Sequence, residues 1–278
     1  MSTLSQEDYQ FVSGFLYEEA GIALGGDKAY LVENRLGELC RSVGLHSISA
    51  LVQELKSIPT TQNRQKMLEA MTTNETSFFR DLNSFDSMRT SLLPELEDLR
   101  KSRRALRVWS AACSTGQETY SLAMLIDSHL GQHRKSWQID ILGTDIAEKV
   151  LHRAKTGEYS QLEVNRGLPA QLLMRHFKRK GRGWHVSDNI RSMVRFEQVN
   201  LMSVPASLGQ FDLILCRNVL IYFDVQTRQK VLANLHRQIK PDGYLIVGAS
   251  EVLHGLTDLF ERTQRDGAIC YRPAYRPG

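Results

Sequence analysis

The sequence predicts an α/β protein built on a doubly wound, Rossmann-like sheet, with an N-terminal all-helical domain and a small inserted antiparallel β-subdomain. From residue 105 onwards, short apolar runs alternate with amphipathic stretches, a rhythm typical of parallel strands joined by helices. The run Phe211–Cys216 is apolar at every position after Asp212, which indicates a strand buried on both faces. The stretch 156–191 breaks the rhythm with glycines and alternating polar residues, and therefore predicts the inserted subdomain.

Before residue 105 the pattern is helical. Residues 1–80 predict the all-helical domain, because apolar side chains recur at helical spacing between glycines. Ser47 is the expected N-cap of one such helix, whose apolar stripe comprises Ile48, Leu51, Val52 and Leu55. Residues 81–104 predict a linking helix with a basic end, which suits the negative pole of a helix dipole.

The predicted α/β domain spans 105–278, with the inserted β-subdomain at about 156–191. A turn at Pro241-Asp-Gly243 separates its last helix from the strand that follows. The predicted strands are 105–111, 139–143, 193–199, 211–216, 244–247 and 268–272. The predicted helices are 117–130, 148–155 and 225–239.

Composition excludes several classes of protein. Apolar residues make up 42% and charged residues 24%, as in globular proteins. No apolar run reaches the roughly 20 residues of a membrane span, so we expect no membrane insertion, and no secretory leader is visible. The four cysteines are scattered, which predicts neither a metal site nor disulfides and favours the cytoplasm. A net charge of +4 does not indicate nucleic acid, and residues 1–80 have seven basic against ten acidic residues, unlike a DNA-binding helical hairpin.

The segment after the first predicted strand is rich in small residues, which let a backbone approach a ligand closely. Ligands of doubly wound sheets lie beyond the carboxyl ends of the strands. Gly116 is its only glycine, so the segment has no G-x-G-x-x-G phosphate cradle, and a nucleoside without phosphate fits better than a dinucleotide. Its small residues are Ser110, Ala111, Ala112, Ser114 and Gly116.

Two carboxylates follow neighbouring strands, and each has two interpretations. Glu118 either forms a capping box with Thr115 or binds a cationic group such as an α-ammonium, and the sequence favours neither interpretation over the other. Asp145 either caps the next helix, in a box with Glu148, or accepts the two ribose hydroxyls of a nucleoside. Because the pair brackets the place of a nucleoside, the binding role is favoured for Asp145.

Two further strands are followed by candidate binding residues. Asn200 and Leu201 follow one strand and offer an amide or backbone for an adenine edge, although Asn200 alone is typical of a turn. Arg217, Asn218 and Tyr222 follow the buried strand and fall where a cofactor or substrate is expected. Tyr222 is otherwise a core tyrosine at the sheet edge.

Several motifs together resemble one family of S-adenosylmethionine-dependent methyltransferases. The motifs are Asn74-Glu-Thr-Ser-Phe-Phe-Arg80, Trp109-Ser-Ala-Ala-Cys-Ser-Thr-Gly-Gln-Glu118, Gly143-Thr-Asp145, Cys216-Arg-Asn-Val-Leu-Ile-Tyr-Phe223 and Gly248-Ala-Ser-Glu251. In this order they are similar to CheR, the chemotaxis-receptor glutamate methyltransferases, over essentially the whole chain.

The resemblance implies roles for the matching residues. Asn74, Thr76 and Arg80 would close over S-adenosylmethionine, and Arg80 and Tyr222 would flank the transferred methyl group. Without the resemblance, Arg80 would be a surface residue packing on Phe78 and Phe79. The residues implied to line the cofactor pocket are Glu118, Asp145, Asn200, Leu201, Arg217 and Asn218.

The resemblance also implies a partner, the helical bundle of a chemoreceptor's cytoplasmic region, bound by a monomeric enzyme. Its acidic faces would meet Lys28, Arg35 and Arg41, although Glu33 and Glu38 weaken that basic signal. A basic cluster at 175–182 is either a solvated hairpin tip or a docking surface for an acidic partner. Its hairpin is short, and we therefore expect no need for a receptor's C-terminal pentapeptide.

Two other functions remain open at this point. A nucleic-acid or small-molecule methyltransferase is one. Adenine methylases, however, place two prolines between an Asn or Asp and an aromatic residue, whereas no proline lies between Asn218 and Tyr222 in this sequence. A non-enzymatic cofactor-binding adaptor is the other, and the presence of both Arg80 and Tyr222 argues against it.

Overall fold

A computed structural model describes residues 4–58 and 62–274, which group into two compact units. The smaller unit comprises residues up to Thr73 together with Tyr222–Thr227, and the larger unit comprises the rest. The predicted domain boundary at residue 80 thus lies after the division between the units, and Asn74 to Arg80 belong with the larger unit. Within the described ranges, no helix is long and apolar enough to cross a membrane.

The smaller unit is helical. Its helices are α1 (Gln6–Ala20), α2 (Ala29–Val43), α3 (Ile48–Ser57) and α4 (Gln62–Met71). The apolar stripe of α3 is buried, and the Ser47 hydroxyl accepts a hydrogen bond from the Ala50 amide at 3.1 Å, so the predicted N-cap is confirmed. Tyr222 belongs here because its carbonyl accepts the Ala23 amide at 3.0 Å.

The larger unit begins with a helical stretch and continues as alternating strands and helices. The stretch consists of α5 (Leu82–Ser87), a π-helical turn (Met88–Leu92) and α6 (Leu93–Arg100). The later helices are α7 (Gln117–Leu130), α8 (Glu148–Thr156), α9 (Gln161–Asn165), α10 (Ala170–His176), α11 (Asp188–Arg191) and α12 (Val225–Gln238).

The strands form two sheets, and the predicted architecture is confirmed. The strands are β1 (Ala105–Ala111), β2 (Gln138–Asp145), β3 (Glu158–Ser160), β4 (Phe177–Lys180), β5 (Gly183–Val186), β6 (Val194–Gln198), β7 (Phe211–Cys216), β8 (Ile239–Val247), β9 (Phe260–Arg265) and β10 (Ala268–Pro273). The main sheet has the order β6-β2-β1-β7-β8-β10-β9, and its first five strands are parallel. The inserted subdomain has the antiparallel order β3-β5-β4.

The topology fixes where a ligand belongs. From β1 the chain runs to β2 and β6 on one side, and afterwards to β7 and β8 on the other. The strand order therefore reverses between β1 and β7, and the crevice beyond their carboxyl ends is the place where doubly wound sheets bind ligands. Every residue of β7 is buried, as its apolar run predicted.

Candidate active site

A loop of small residues follows β1 at this crevice. Three of its residues have positive φ, namely Ala112 at 57°, Ser114 at 51° and Gly116 at 90°. Only glycine adopts this region without strain, so the surroundings hold the loop in place. The Ser114 amide donates to Asp145 Oδ2 at 2.8 Å, and the Ser114 hydroxyl donates to the Asn74 carbonyl at 2.7 Å. The loop thus links the end of β2 to the segment that leads to Arg80.

Glu118 lies in the first turn of α7, and it does not form a capping box. Gly116 occupies the N-cap position without a side-chain bond, so the capping interpretation is wrong. Glu118 Oε1 instead accepts the Ser110 hydroxyl at 2.8 Å, and Oε2 accepts Arg217 Nη1 at 2.9 Å. These bonds aim the carboxylate at the switch point between β1 and β7.

Arg217 holds together three parts of the site. Its side chain is only 1% exposed and pairs with Glu118. Nη2 donates to the Arg80 carbonyl at 2.8 Å and to Asp81 Oδ2 at 3.3 Å. Nε is buried without a hydrogen-bond partner among the described residues. Most of the guanidinium is therefore bound to protein, and a direct contact with the cofactor stays a prediction.

Asp145 lies at the carboxyl end of β2, where the sequence placed it. Oδ2 accepts the Ser114 amide, and Oδ1 accepts the Ala147 amide at 3.0 Å. Ala147, rather than Asp145, is the N-cap residue of α8. Two backbone amides thus orient the carboxylate.

Asn218 has a positive φ of 59° and depends on a residue that the sequence reasoning missed. Glu251 is buried, and its Oε2 accepts the amides of Asn218 at 2.8 Å and Gly248 at 2.7 Å. Its Oε1 accepts the Ile221 amide at 3.3 Å. Glu251 thereby fixes the loop after β7. Its signal in the sequence was the one used for Asp145, a carboxylate shortly after a buried strand.

Asn200 and Leu201 follow β6 beside the end of β2. Asn200 Oδ1 accepts the Met202 amide at 2.9 Å, so the turn interpretation describes this side chain. The Leu201 carbonyl accepts Asn234 Nδ2 at 2.7 Å, and Leu201 is buried. Their predicted contact with an adenine ring stays a prediction.

Arg80 stands exposed on a strained turn. Its neighbours Phe79 and Asp81 have positive φ of 47° and 64°. The Arg80 side chain is exposed, and its Nη1 donates a hydrogen bond to the Glu75 carbonyl at 3.1 Å. Non-glycine residues in this region are typical of functional sites, where the surroundings over-determine the backbone. Phe78 and Phe79 are buried, so the turn is anchored on both rings. Thr76 lies half-buried on the same segment.

Tyr222 is half-buried in a 3₁₀ turn (Leu220–Tyr222), so the core interpretation is wrong. It belongs to the smaller compact unit, and it directly follows Ile221, whose amide binds Glu251. The turn thus begins on the anchored loop that follows β7.

Two buried cysteines border the site and are unsuited to act as nucleophiles. Burial raises the pKa of the Cys113 thiol well above its ordinary value, and the Asp145 carboxylate adds to this. Burial likewise raises the pKa of Cys216. Both thiols therefore stay protonated near neutral pH. The described residues contain no cluster of side chains that could hold a metal ion.

The donor set fits a phosphate-free nucleoside bearing a positive charge. The ends of β1 and β2 offer two oriented carboxylates, Glu118 and Asp145, beside a loop of small residues without a phosphate cradle. The fold and the site together define an α/β enzyme that binds a nucleoside cofactor.

Comparison with known proteins makes this class specific: the chain belongs to the CheR methyltransferase family. The family description "CheR methyltransferase, SAM binding domain" matches residues 74–269, and "CheR methyltransferase, all-alpha domain" matches residues 7–72. The cofactor is therefore S-adenosylmethionine.

Similar curated proteins span nearly the same length. "Chemotaxis protein methyltransferase Cher2" of Pseudomonas putida is 43% identical, over 95% of this chain and 97% of its own. "Chemotaxis protein methyltransferase 1" of Pseudomonas aeruginosa is also 43% identical, with the same coverage. A chemotaxis protein methyltransferase of Escherichia coli is 37% identical, over 89% of this chain and 85% of its own.

Proposed function

We propose that the protein transfers a methyl group from S-adenosylmethionine to glutamate side chains of chemoreceptor cytoplasmic helices, which gives methyl esters. The observation that carries this proposal is the exposed Arg80 on a strained turn, tied by its carbonyl to the Arg217–Glu118 pair. A guanidinium suits recognition of a carboxylate, because its fork of donors can bind both oxygens. The family relatives named for chemotaxis support the receptor as substrate.

The proposed mechanism relies on positioning rather than on proton transfer. When bound, the cofactor supplies an activated methyl group on a positively charged sulfur. A glutamate carboxylate is ionised at neutral pH, so no general base is needed. Arg80 orients the carboxylate for in-line attack, and such orientation is worth as much as about 7–11 kcal/mol. Tyr222 supports the approach of the methyl group or hydrogen-bonds the acceptor.

The cofactor roles follow the strand ends. Glu118 receives the α-ammonium of the cofactor, and Asp145 receives the ribose hydroxyls. Asn200 and Leu201 meet the adenine edge. The remaining contacts are assigned to Asn74, Thr76, Arg80, Arg217 and Asn218.

One labelling experiment tests the reaction. The protein is incubated with methyl-labelled S-adenosylmethionine and a receptor cytoplasmic fragment, and the pH is then raised. A carboxyl methyl ester releases its label as methanol, whereas N- or C-methylation leaves stable label. Alkali-stable label would show another kind of methyltransferase. No label on any receptor fragment would favour a cofactor-binding adaptor.

Replacement of Arg80 tests the catalytic assignment. Arg80→Ala should lower kcat on the order of 10²-fold, because the carboxylate loses its orientation, and should leave the affinity for S-adenosylmethionine within a few-fold. Arg89→Ala is the matched control, since Arg89 is also exposed and pairs only with its neighbour Asp86 in the described structure. Lost cofactor binding in calorimetry with unchanged turnover at saturation would contradict the assignment.

The receptor is proposed to dock through basic side chains onto a monomeric enzyme. Arg41 is exposed, but Lys28 is the N-cap residue of α2 and Arg35 donates to the Met71 carbonyl at 2.8 Å. The stronger candidate is the basic cluster formed by the end of α10 and the β4–β5 hairpin, where Arg175 of α10 pairs loosely with Asp127 at 3.5 Å. Its exposed members are Arg175, Lys178, Arg179, Lys180 and Arg182.

Pentapeptide independence is a separate proposal with its own test. The β4–β5 hairpin turns tightly between Lys180 and Gly183, without a longer extension. The protein is titrated with a receptor C-terminal pentapeptide, and we expect no saturable binding. A clear binding isotherm would contradict the proposal and leave methyl transfer to glutamate unaffected.

A further inference from the structure

The turn that carries Arg80 packs on the inserted β-subdomain. Phe78, two residues before Arg80, is fully buried. Its ring lies edge-on to Tyr159 of β3 at 4.9 Å and to Phe177 of β4 at 5.7 Å between ring centroids. Edge-to-face contact is a favoured arrangement of two aromatic rings. Two strands of the subdomain thus pack against Phe78, the residue that leads into the turn.

Gly167 brings the subdomain into contact with the backbone of the turn. Its φ is +90°, and a Cβ at this position would lie 2.1 Å from the Phe78 carbonyl oxygen. Real Cβ atoms do not approach other atoms within 3.0 Å, so a side chain here would displace that carbonyl. Only glycine allows the subdomain to touch the turn this closely.

Tyr159 links the same turn to the cofactor loop. Its ring packs on Phe78, and its hydroxyl donates to the Thr115 carbonyl at 2.8 Å. Burial raises the pKa of this hydroxyl well above its ordinary value, so it stays a donor. A single residue of the subdomain therefore holds the turn with its ring and the loop with its hydroxyl.

We infer that the inserted subdomain positions Arg80 for methyl transfer, with Gly167 and Tyr159 as its positioning residues. The inference rests on the proposed function, because it assumes that Arg80 orients the accepting carboxylate. Three contacts fix the turn at the subdomain side, and the Arg217 bond to the Arg80 carbonyl fixes it at the sheet side. A displacement of about 1 Å in a positioning group can lower a rate on the order of 10²-fold.

Two glycines of the larger unit provide a matched test. Gly267, in the turn between β9 and β10, has a positive φ of +83°, close to that of Gly167, but a Cβ there would have no neighbour within 4 Å. Both Gly167→Ala and Gly267→Ala carry the backbone strain, and only Gly167→Ala displaces the Phe78 carbonyl. We expect kcat to fall about 10²-fold in Gly167→Ala, with the KM for S-adenosylmethionine within a few-fold, and both constants to be retained in Gly267→Ala.

The Arg80→Ala background separates the two hypotheses. If Gly167 acts through Arg80, then Gly167→Ala should lower kcat no further in a protein that already lacks Arg80. Full turnover in Arg80→Ala alone would overturn the proposed role of Arg80. A large loss in Arg80→Ala, together with equal kcat in the two glycine variants, would overturn only the inference.

Two further variants keep the test open if Gly167→Ala fails to fold. Phe78→Leu keeps an apolar side chain but removes both ring contacts, and a lowered kcat with retained cofactor KM supports the inference. Tyr159→Phe keeps the ring and removes only the bond to Thr115, so its cofactor KM should rise about tenfold, the value of one hydrogen bond. Unchanged kcat in Phe78→Leu, in a protein whose melting shows it to be folded, would overturn the inference.

Discussion

Strand β7 has a buried ion-pair network at each end. At its amino end, Arg100 donates from Nε to Asp212 Oδ1 at 2.5 Å and from both terminal nitrogens to Asp242. Asp212 has no exposed surface and also accepts Lys240 Nζ at 2.8 Å. At its carboxyl end, Arg217 joins Glu118 to the Arg80 carbonyl.

The two networks differ in what they hold. The three nitrogens of Arg100 all bind carboxylates, so the amino-end network is satisfied and ties a helix end to the strands. Arg217 instead binds one side chain, one backbone carbonyl and, weakly, Asp81, while its Nε lacks a partner in the described structure. Buried arginine–carboxylate pairs therefore fasten a helix to the sheet at one end of β7 and position a strained turn at the other end. Breaking each network should accordingly affect different properties.

Arg100→Met has the largest expected effect, and that effect is on stability. Removal of one partner from a buried ion network costs about 3–5 kcal/mol in the free energy of unfolding, because a buried charge loses its partner. Urea denaturation measures this loss. The kcat and KM of the folded fraction should stay at the wild-type values. A fall in kcat per folded molecule would show that the amino-end network also affects the active site, and would contradict the separation of the two networks.

Arg217→Lys should affect turnover more than stability. Lysine keeps the positive charge but lacks the fork that binds Glu118 and the Arg80 carbonyl together. We expect kcat/KM to fall about 10- to 100-fold, and the free energy of unfolding to fall by about 1–2 kcal/mol. Steady-state kinetics and denaturation on the same preparation give both values. Wild-type kcat/KM in this variant would mean that the turn does not depend on Arg217.

The pH dependence of stability gives the smallest effect. The hydrogen bond to Arg100 lowers the pKa of Asp242 below its ordinary value of 3.8. The unfolded chain therefore binds the proton more readily, so this stabilisation is complete above about pH 4 and is lost as the pH falls through the folded pKa. Asp242 is 43% exposed, so we expect less than about 1 kcal/mol.

Asp242→Asn tests that dependence directly. The stability difference between wild type and variant, measured in urea from pH 6 down to acidic pH, should be largest at pH 6 and shrink as the pH is lowered below about 4. A difference that stays constant over this range would show that the Asp242 charge does not contribute.

Much of the fold could be predicted because its signals are local. The apolar run of β7 and the boundaries of α7 depend on neighbouring residues in the sequence, and both are confirmed. The edge strand β9 was not predicted, because Phe260–Arg265 is mostly polar and is stabilised by pairing with β10 rather than by burial. The basic end of α6 was predicted as a helix terminus, but Arg100 is buried in ion pairs.

The sequence allowed the places of the site residues at the strand ends to be predicted, but not their hydrogen-bond partners. Glu118, Asp145 and Arg217 were placed at the ends of strands, and the structure brings all three to the carboxyl edge of neighbouring strands. Capping boxes for Glu118 and Asp145 were plausible from spacing alone, but the N-cap residues of the two helices are Gly116 and Ala147. Glu251 was missed as an anchor although it follows a buried strand as Asp145 does, because two of its bonds go to amides 33 and 30 residues away in the chain.

The sequence by itself determined the alternation of strands and helices after residue 105 and the polar residues at the strand ends, since these patterns are local. Only the tertiary structure decided which groups meet. Arg217 and Glu118 are 99 residues apart in the chain, and Gly167 meets Phe78 from an inserted subdomain. Such contacts depend on how sheet and insertion pack, and packing is a property of the whole chain.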